Sequence, residues 1–187
     1  MRRIIFVLVI MLSVSLLYSQ RNIQKHGLVE TIIRGDGYIY NKDVAGADVQ
    51  LYNRENKWVN VHQEYKNGEM IDLDIIDAPR TAIVENDQWT KLRAFGIVHD
   101  AFTVEQRKQV LGKKLWISLY VNSETGKVDE VEFGFMVNDP YNAIPIYVFR
   151  QIETELKKNI WFKPTAKGKT LNYIYHFWCQ DPNVTGK

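Results

Sequence analysis

Apolar and polar residues alternate most clearly near the middle of the chain, where Leu115, Ile117, Leu119 and Val121 interleave with Trp116, Ser118, Tyr120 and Asn122. A period of two sends the two sets to opposite faces of a strand. The run Ser123 to Lys127 then predicts a tight turn, with Gly126 able to adopt the positive φ such turns require. Val128 to Met136 predicts the returning strand, with Val131, Phe133 and Phe135 on one face. After Pro140 and Pro145 the period changes. Ile146, Phe149, Ile152, Leu156 and Ile160 recur at helical spacing, opposite Arg150, Gln151, Glu155, Lys158 and Asn159. That stripe predicts an amphipathic helix lying on a sheet, with Pro145 in its first turn, where a missing N–H costs nothing. A last strand is expected over Leu171 to Trp178.

The N-terminal half reads as short strands separated by turns, punctuated by Gly35, Asp36 and Gly37 and by Lys66, Asn67 and Gly68. The polar break 53–56 predicts a hairpin of strands 47–52 and 57–63. Met70 to Ile76 alternates apolar and acidic residues and predicts a half-buried strand ended by Pro79. Trp89, Leu92, Phe95 and Val98 recur at helical intervals, although Gly96 interrupts them, so residues 81–100 read either way. Thr103 and Gln106 have the spacing of a capping box, which predicts a short helix from Val104 to Leu111 stopped at Gly112. The fold class expected is α+β: a β-rich N-terminal region over 20–112, packed closely against a strand–strand–helix–strand region over 113–187 whose antiparallel sheet is covered by one amphipathic helix.

The first residues change the reading of charge and location. Arg2 and Arg3 precede an almost unbroken apolar run from Ile4 to Leu17, followed by a small residue, Ser19. This is the layout of a secretory signal peptide over 1–19, and the run is shorter than the roughly 20 apolar residues of a spanning helix. Export to the periplasm or the extracellular space is expected, with no transmembrane segment in the mature chain. Of 24 basic and 22 acidic residues, two arginines leave with that segment, so the mature chain is near neutral. A neutral chain has no long-range attraction for phosphate backbones, which argues against nucleic acid. The single cysteine, Cys179, excludes an internal disulfide and a cysteine-based zinc site. It is expected to be buried or half-buried at a strand end.

The order strand, turn, strand, helix, followed by Trp161, Phe162, Lys163, Pro164, Thr165 and Ala166, then Gly168, Lys169 and a strand holding Phe177, resembles the C-terminal domain of TonB. The resemblance covers residues 111–179. It implies that fold and a habit of accepting a partner's strand along a sheet edge. The chain lacks the Pro-rich linker of TonB, having only five prolines, so force transmission is not implied. The edge expected is Leu171 to Trp178, because a terminal strand often lies at a sheet margin, with Leu171, Tyr173, Tyr175 and Phe177 as contacts and Lys167 and Lys169 as a basic rim. Those lysines also read as plain solvated turn residues.

Motifs for catalysis are sparse. His26, His62, His99 and His176 include no pair four residues apart, so a helical zinc site is unsupported. Ser118 and Ser123 lack the context of an activated nucleophile. Asp72 with Asp74, and Glu130 with Glu132, share strand faces and read as solvent-facing positions. Gly35 and Gly37 lack the third glycine of a dinucleotide loop. No cofactor and no metal are expected. The leading expectation is an exported, non-enzymatic interaction module binding an envelope protein or peptide segment at a sheet edge. Two alternatives stand beside it. One is a small periplasmic enzyme in which two or more of His62, Glu64, Asp72, Asp74 and His99 converge. The other is a carbohydrate- or peptidoglycan-binding protein that uses exposed aromatics among its five tryptophans and ten tyrosines.

Overall fold

The computed structural model describes residues 28–71, 80–85 and 88–185. The signal peptide expected at 1–19, His26, Asp72, Asp74 and most of the strand expected at 70–76 lie outside the described residues. Six strands form one antiparallel sheet: β1 (Leu28–Gly35), β2 (Tyr38–Ala45), β3 (Asp48–Asn53), β4 (Leu115–Val121), β5 (Val128–Met136) and β6 (Ile174–Gln180). Their spatial order is β1-β2-β3-β5-β4-β6. The fold is α+β, and its sheet crosses from one half of the sequence to the other where β3 pairs with β5, Leu51 opposite Phe133.

Among the described residues three α-helices complete the fold: α1 (Gln88–Ala101), α2 (Val104–Gln109) and α3 (Ile146–Asn159). α3 covers one face of the sheet. Its Phe149, Ile152 and Leu156 are at most 1% exposed, and they meet Leu51, Ile117, Phe133 and Phe135 in one core cluster. The Phe133 and Phe149 rings pack edge-to-face at 5.3 Å. Each such side chain contributes about 1.5–3 kcal/mol by leaving water, so this face anchors the fold. The capping box at α2 has both halves, Gln106 N–H donating to the Thr103 hydroxyl and Thr103 N–H donating to the Gln106 side chain. The β4–β5 turn requires Gly126 twice over. Its φ is +72°, and a Cβ there would lie 1.8 Å from the Phe162 carbonyl oxygen.

Several expectations are corrected. Residues 57–63 form no strand. The Glu130 carboxylate accepts from the Lys57 and Trp58 N–H groups at 2.6 and 2.9 Å, bending this segment across the sheet instead. Its Trp58 and Val59 pack on Tyr120 and Tyr173. β3 takes β2 and β5 as partners. α1 does not bury the Trp89–Leu92 stripe, since both residues are exposed. It turns in Thr90, Ala94, Val98 and Ala101, whose small size suits close approach to α3. The last strand starts at Ile174, three residues later than expected. Thr170 to Tyr173 bond instead to segment 61–66, with Lys66 N–H donating to the Thr170 carbonyl and Asn172 N–H to that of Glu64. Among the described residues, no helix is long and apolar enough to cross a membrane.

Candidate functional site

The pairing register sorts the sheet face opposite α3 into rows that run across the strands. One row holds Asp43, Gln50, Gly134, Trp116 and Cys179. The next holds Asn41, Tyr52, Glu132, Ser118 and Phe177. A third brings Glu130, Tyr120 and Tyr175 together. Period-two alternation in each strand therefore collects polar and aromatic side chains on this face while aliphatics with Phe133 and Phe135 fill the other.

These rows enclose a cleft of about 470 Å³, within the usual size range of small-molecule sites. Trp116, Tyr175 and Phe177 line it on the β4–β6 side, and Asp43, Asp48 and Gln50 on the β2–β3 side. Gly134 lies between the two. A Cβ there would stand 3.1 Å from the Trp116 ring, so the missing side chain lets the indole settle over β5. Tyr175 and Phe177 are 40% and 42% exposed.

Hydrogen bonds hold the acceptors of this cleft in place. Glu132 accepts from Gln50 Nε2 at 2.8 Å through one oxygen and from the Tyr120 hydroxyl at 2.6 Å through the other. Asp43 Oδ2 accepts from the Tyr52 hydroxyl at 2.9 Å. Asp43 Oδ1 and Asn41 Oδ1 are buried and without a hydrogen-bond partner, and an unsatisfied buried acceptor costs about 1–3 kcal/mol. Burial, then the Glu132 charge, pushes the Tyr120 hydroxyl well above the ordinary tyrosine range. Tyr52 is pushed up to about 12, chiefly by burial; the Asn41 hydrogen bond opposes this, and the Asp43 hydrogen bond and charge add to it. Both phenols are thus neutral donors at physiological pH. Three carboxylates and no lysine or arginine line the cleft. It is built to offer acceptors on one side and aromatic faces on the other.

The expected site residues divide. Tyr175 and Phe177 stand on this cleft. Leu171 and Tyr173 are buried, and the Tyr173 hydroxyl donates to the Val61 carbonyl at 2.6 Å. Lys167 and Lys169 are exposed on the short 3-10 turn that leads into Leu171. The neighbouring Lys163 pairs with Glu85 at 2.8 Å. β6 is the outermost strand of the sheet, paired with β4. Segment 61–66 bonds to its approach at Asn172 and Tyr173. His62 and Glu64 lie beside Asn172, before β6 begins, while His99 bonds to the Pro182 carbonyl, past its end. A seven-residue strand, roughly 20 Å or more, separates His99 from His62 and Glu64, so His99 does not converge with them. Among the described residues no group of three or more His, Cys, Asp and Glu could hold a metal ion.

Two further expectations are corrected on this face. Cys179 is exposed, because it falls in the same row as Trp116 and away from the core. Glu130 and Glu132 are not solvent-facing positions: Glu130 is buried under Lys57 and Trp58, and Glu132 is enclosed by Gln50 and Tyr120. Trp89 and Trp161 do form an exposed pair elsewhere, with ring centroids 4.5 Å apart, but their planes are tilted by 55° and offer no flat platform. Asp43, Gln50 and Gly134 were not singled out by the sequence reading. Their signal was weak: a polar residue inside each β-prone run and a glycine inside a strand, which often marks close approach of another group.

Comparison with known proteins gives one consistent result. No curated protein matches the chain. A crystal structure of a DUF5043 family protein from Bacteroides uniformis ATCC 8492 superposes with a TM-score of 0.77 at 35% sequence identity, over 86% of this chain and 93% of that one. Neither that similarity nor the family match shows a relationship to TonB; the order β4, β5, α3, β6 belongs to a sheet shared with β1–β3. The sequence profile of DUF5043, a domain of unknown function, matches residues 28–178, and the chain belongs to that family.

Proposed function

We propose that this protein is an exported, non-enzymatic binding module that takes a neutral saccharide in the cleft opposite α3. The observation that carries this reading is the pairing of an aromatic wall, Trp116 with Tyr175 and Phe177, with an acceptor wall, the exposed Asp48 with Gln50, across Gly134. Sugar rings have apolar C–H faces that pack on aromatic rings and hydroxyl edges that donate to carboxylates. A cleft with both features, and a width set by one missing side chain, matches that two-sided chemistry. The carboxylates favour neutral or cationic ligands and oppose acidic ones. Glu132 already accepts at both oxygens, which suits it to orienting Gln50 and Tyr120 more than to shuttling protons.

The test is a binding screen of the full mature chain against neutral and acidic oligosaccharides, followed by calorimetry on the hits. Neutral glycans should bind, and Trp116→Ala should weaken binding at least about fivefold, as expected for loss of more than ~1 kcal/mol from an aromatic anchor. No saccharide binding, or glycan cleavage during the titration, would overturn the reading. Crosslinking of β6 to a protein strand instead would favour edge pairing.

A further inference from the structure

A second cleft, of about 590 Å³, lies at the turn end of the β1–β2 hairpin. Three arginines reach it from three separate elements: Arg34 from β1, Arg54 from just beyond β3 and Arg150 from α3. Glu55 is the one carboxylate among its lining residues. Cationic side chains gathered in a single concavity focus a positive potential there.

Arg150 is held in place from two sides. Its Nη1 donates to Glu153 Oε2 at 3.0 Å, and its guanidinium lies 5.6 Å from the centroid of the Tyr38 ring. Tyr38 in turn lies across Gly35, where a Cβ would come within 2.1 Å of the ring. Glu153 is fully buried and also receives the Tyr40 hydroxyl, the Asn53 amide at 3.4 Å and Lys157 Nζ at 3.6 Å. One buried carboxylate thus faces two cations, which leaves positive charge unmatched toward the cleft. Arg34 and Arg54 are exposed, and among the described residues neither side chain has a hydrogen-bond or ion-pair partner.

We propose that this cleft binds a ligand bearing an oxyanion group (phosphoryl, sulfuryl or carboxylate), held by Arg34, Arg54 and Arg150. The planar guanidinium fork matches such groups two hydrogen bonds at a time. The volume leaves room for an organic body beyond the anion itself. The site is separate from the saccharide cleft and does not rest on that reading. It is opposite in charge, so the two should select different ligands.

The experiment is an NMR titration of the full mature chain with inorganic phosphate, sulfate and citrate in separate arms, each against sodium chloride of equal ionic strength. Binding should shift the amide resonances of Gly35, Gly37 and Arg54, and the strongest arm names the anion class. Arg34→Gln and Arg54→Gln, both at exposed positions, should each weaken that anion about tenfold or more. The unrelated surface change Lys91→Gln should leave it unchanged. If chloride reproduces the shifts, or if the arginine variants bind as the parent does, the proposal is overturned.

Discussion

The two faces of the sheet are made by the same strands and do different work. On the α3 side, Leu51, Phe133 and Ile117 form a row that is at most 2% exposed and closed by Phe149 and Ile152. One residue along each strand, Tyr52, Glu132 and Ser118 form a row of hydrogen-bonding groups on the other side. The first face is stabilised by removing apolar surface from water. The second uses the rigidity so obtained to hold polar and aromatic groups at fixed separations. Stability and recognition should therefore separate by face, and mutations can test that separation.

The largest expected effect is on the covered face. Phe149→Ala should lower stability by about 3–5 kcal/mol, the usual cost of removing a buried phenylalanine, and a urea midpoint would measure it. A variant that melted like the parent would show that α3 does not anchor the sheet. Removing the α2 cap is a smaller change on the same measurement: Thr103→Ala should cost about 1 kcal/mol, because Gln106 N–H loses its acceptor. Trp116→Ala, on the opposite face, should do the reverse of Phe149→Ala. Its indole is only half-buried, so the melting temperature should move little while saccharide binding falls at least about fivefold. Equal losses of stability and binding would break the comparison.

Alkaline pH offers a subtler probe of the opposite face. Tyr52 and Tyr173 are both pushed up to about 12, in each case chiefly by burial, above the value near 10 of an unfolded tyrosine. The folded state thus prefers the protonated phenols. Their contribution is fully present below about pH 10 and is lost as pH rises through 12. Thermal melts across that range, with tyrosinate absorbance recorded in parallel, should show the melting temperature beginning to fall near pH 10. A flat profile to pH 12 would mean that these phenols are not protected.

Much of the covered face could be read from the sequence, because burial on one side imposes a period. The alternation from Leu115 to Asn122 predicted β4 to within one residue, the stripe from Ile146 to Ile160 predicted α3, and Thr103 with Gln106 predicted the cap. The opposite face was harder. Alternation assigns Glu130 and Glu132 to a side of β5 but cannot say that Lys57, Trp58, Gln50 and Tyr120 will enclose them. That depends on β5 meeting β3 and β4, with some eighty residues separating Tyr52 from Glu132. Glu153 illustrates the same limit. Four residues from Phe149 and three from Leu156, it belongs by spacing to the buried side of α3, yet its partners Tyr40 and Asn53 come from strands 113 and 100 residues earlier. The two clefts arise from pairing register, which no local pattern carries.

The most direct test of the account is where a saccharide contacts the protein. A two-dimensional NMR titration of the protein with a neutral oligosaccharide identified by screening should shift the Trp116 indole N–H and the amides of Gln50, Gly134 and Phe177, leaving those of Phe149 and Ile152 on α3 unmoved. Shifts confined to the outer edge of β6 or to the exposed Trp89–Trp161 pair, or no shifts at all, would contradict the claim that the face opposite α3 is the binding face.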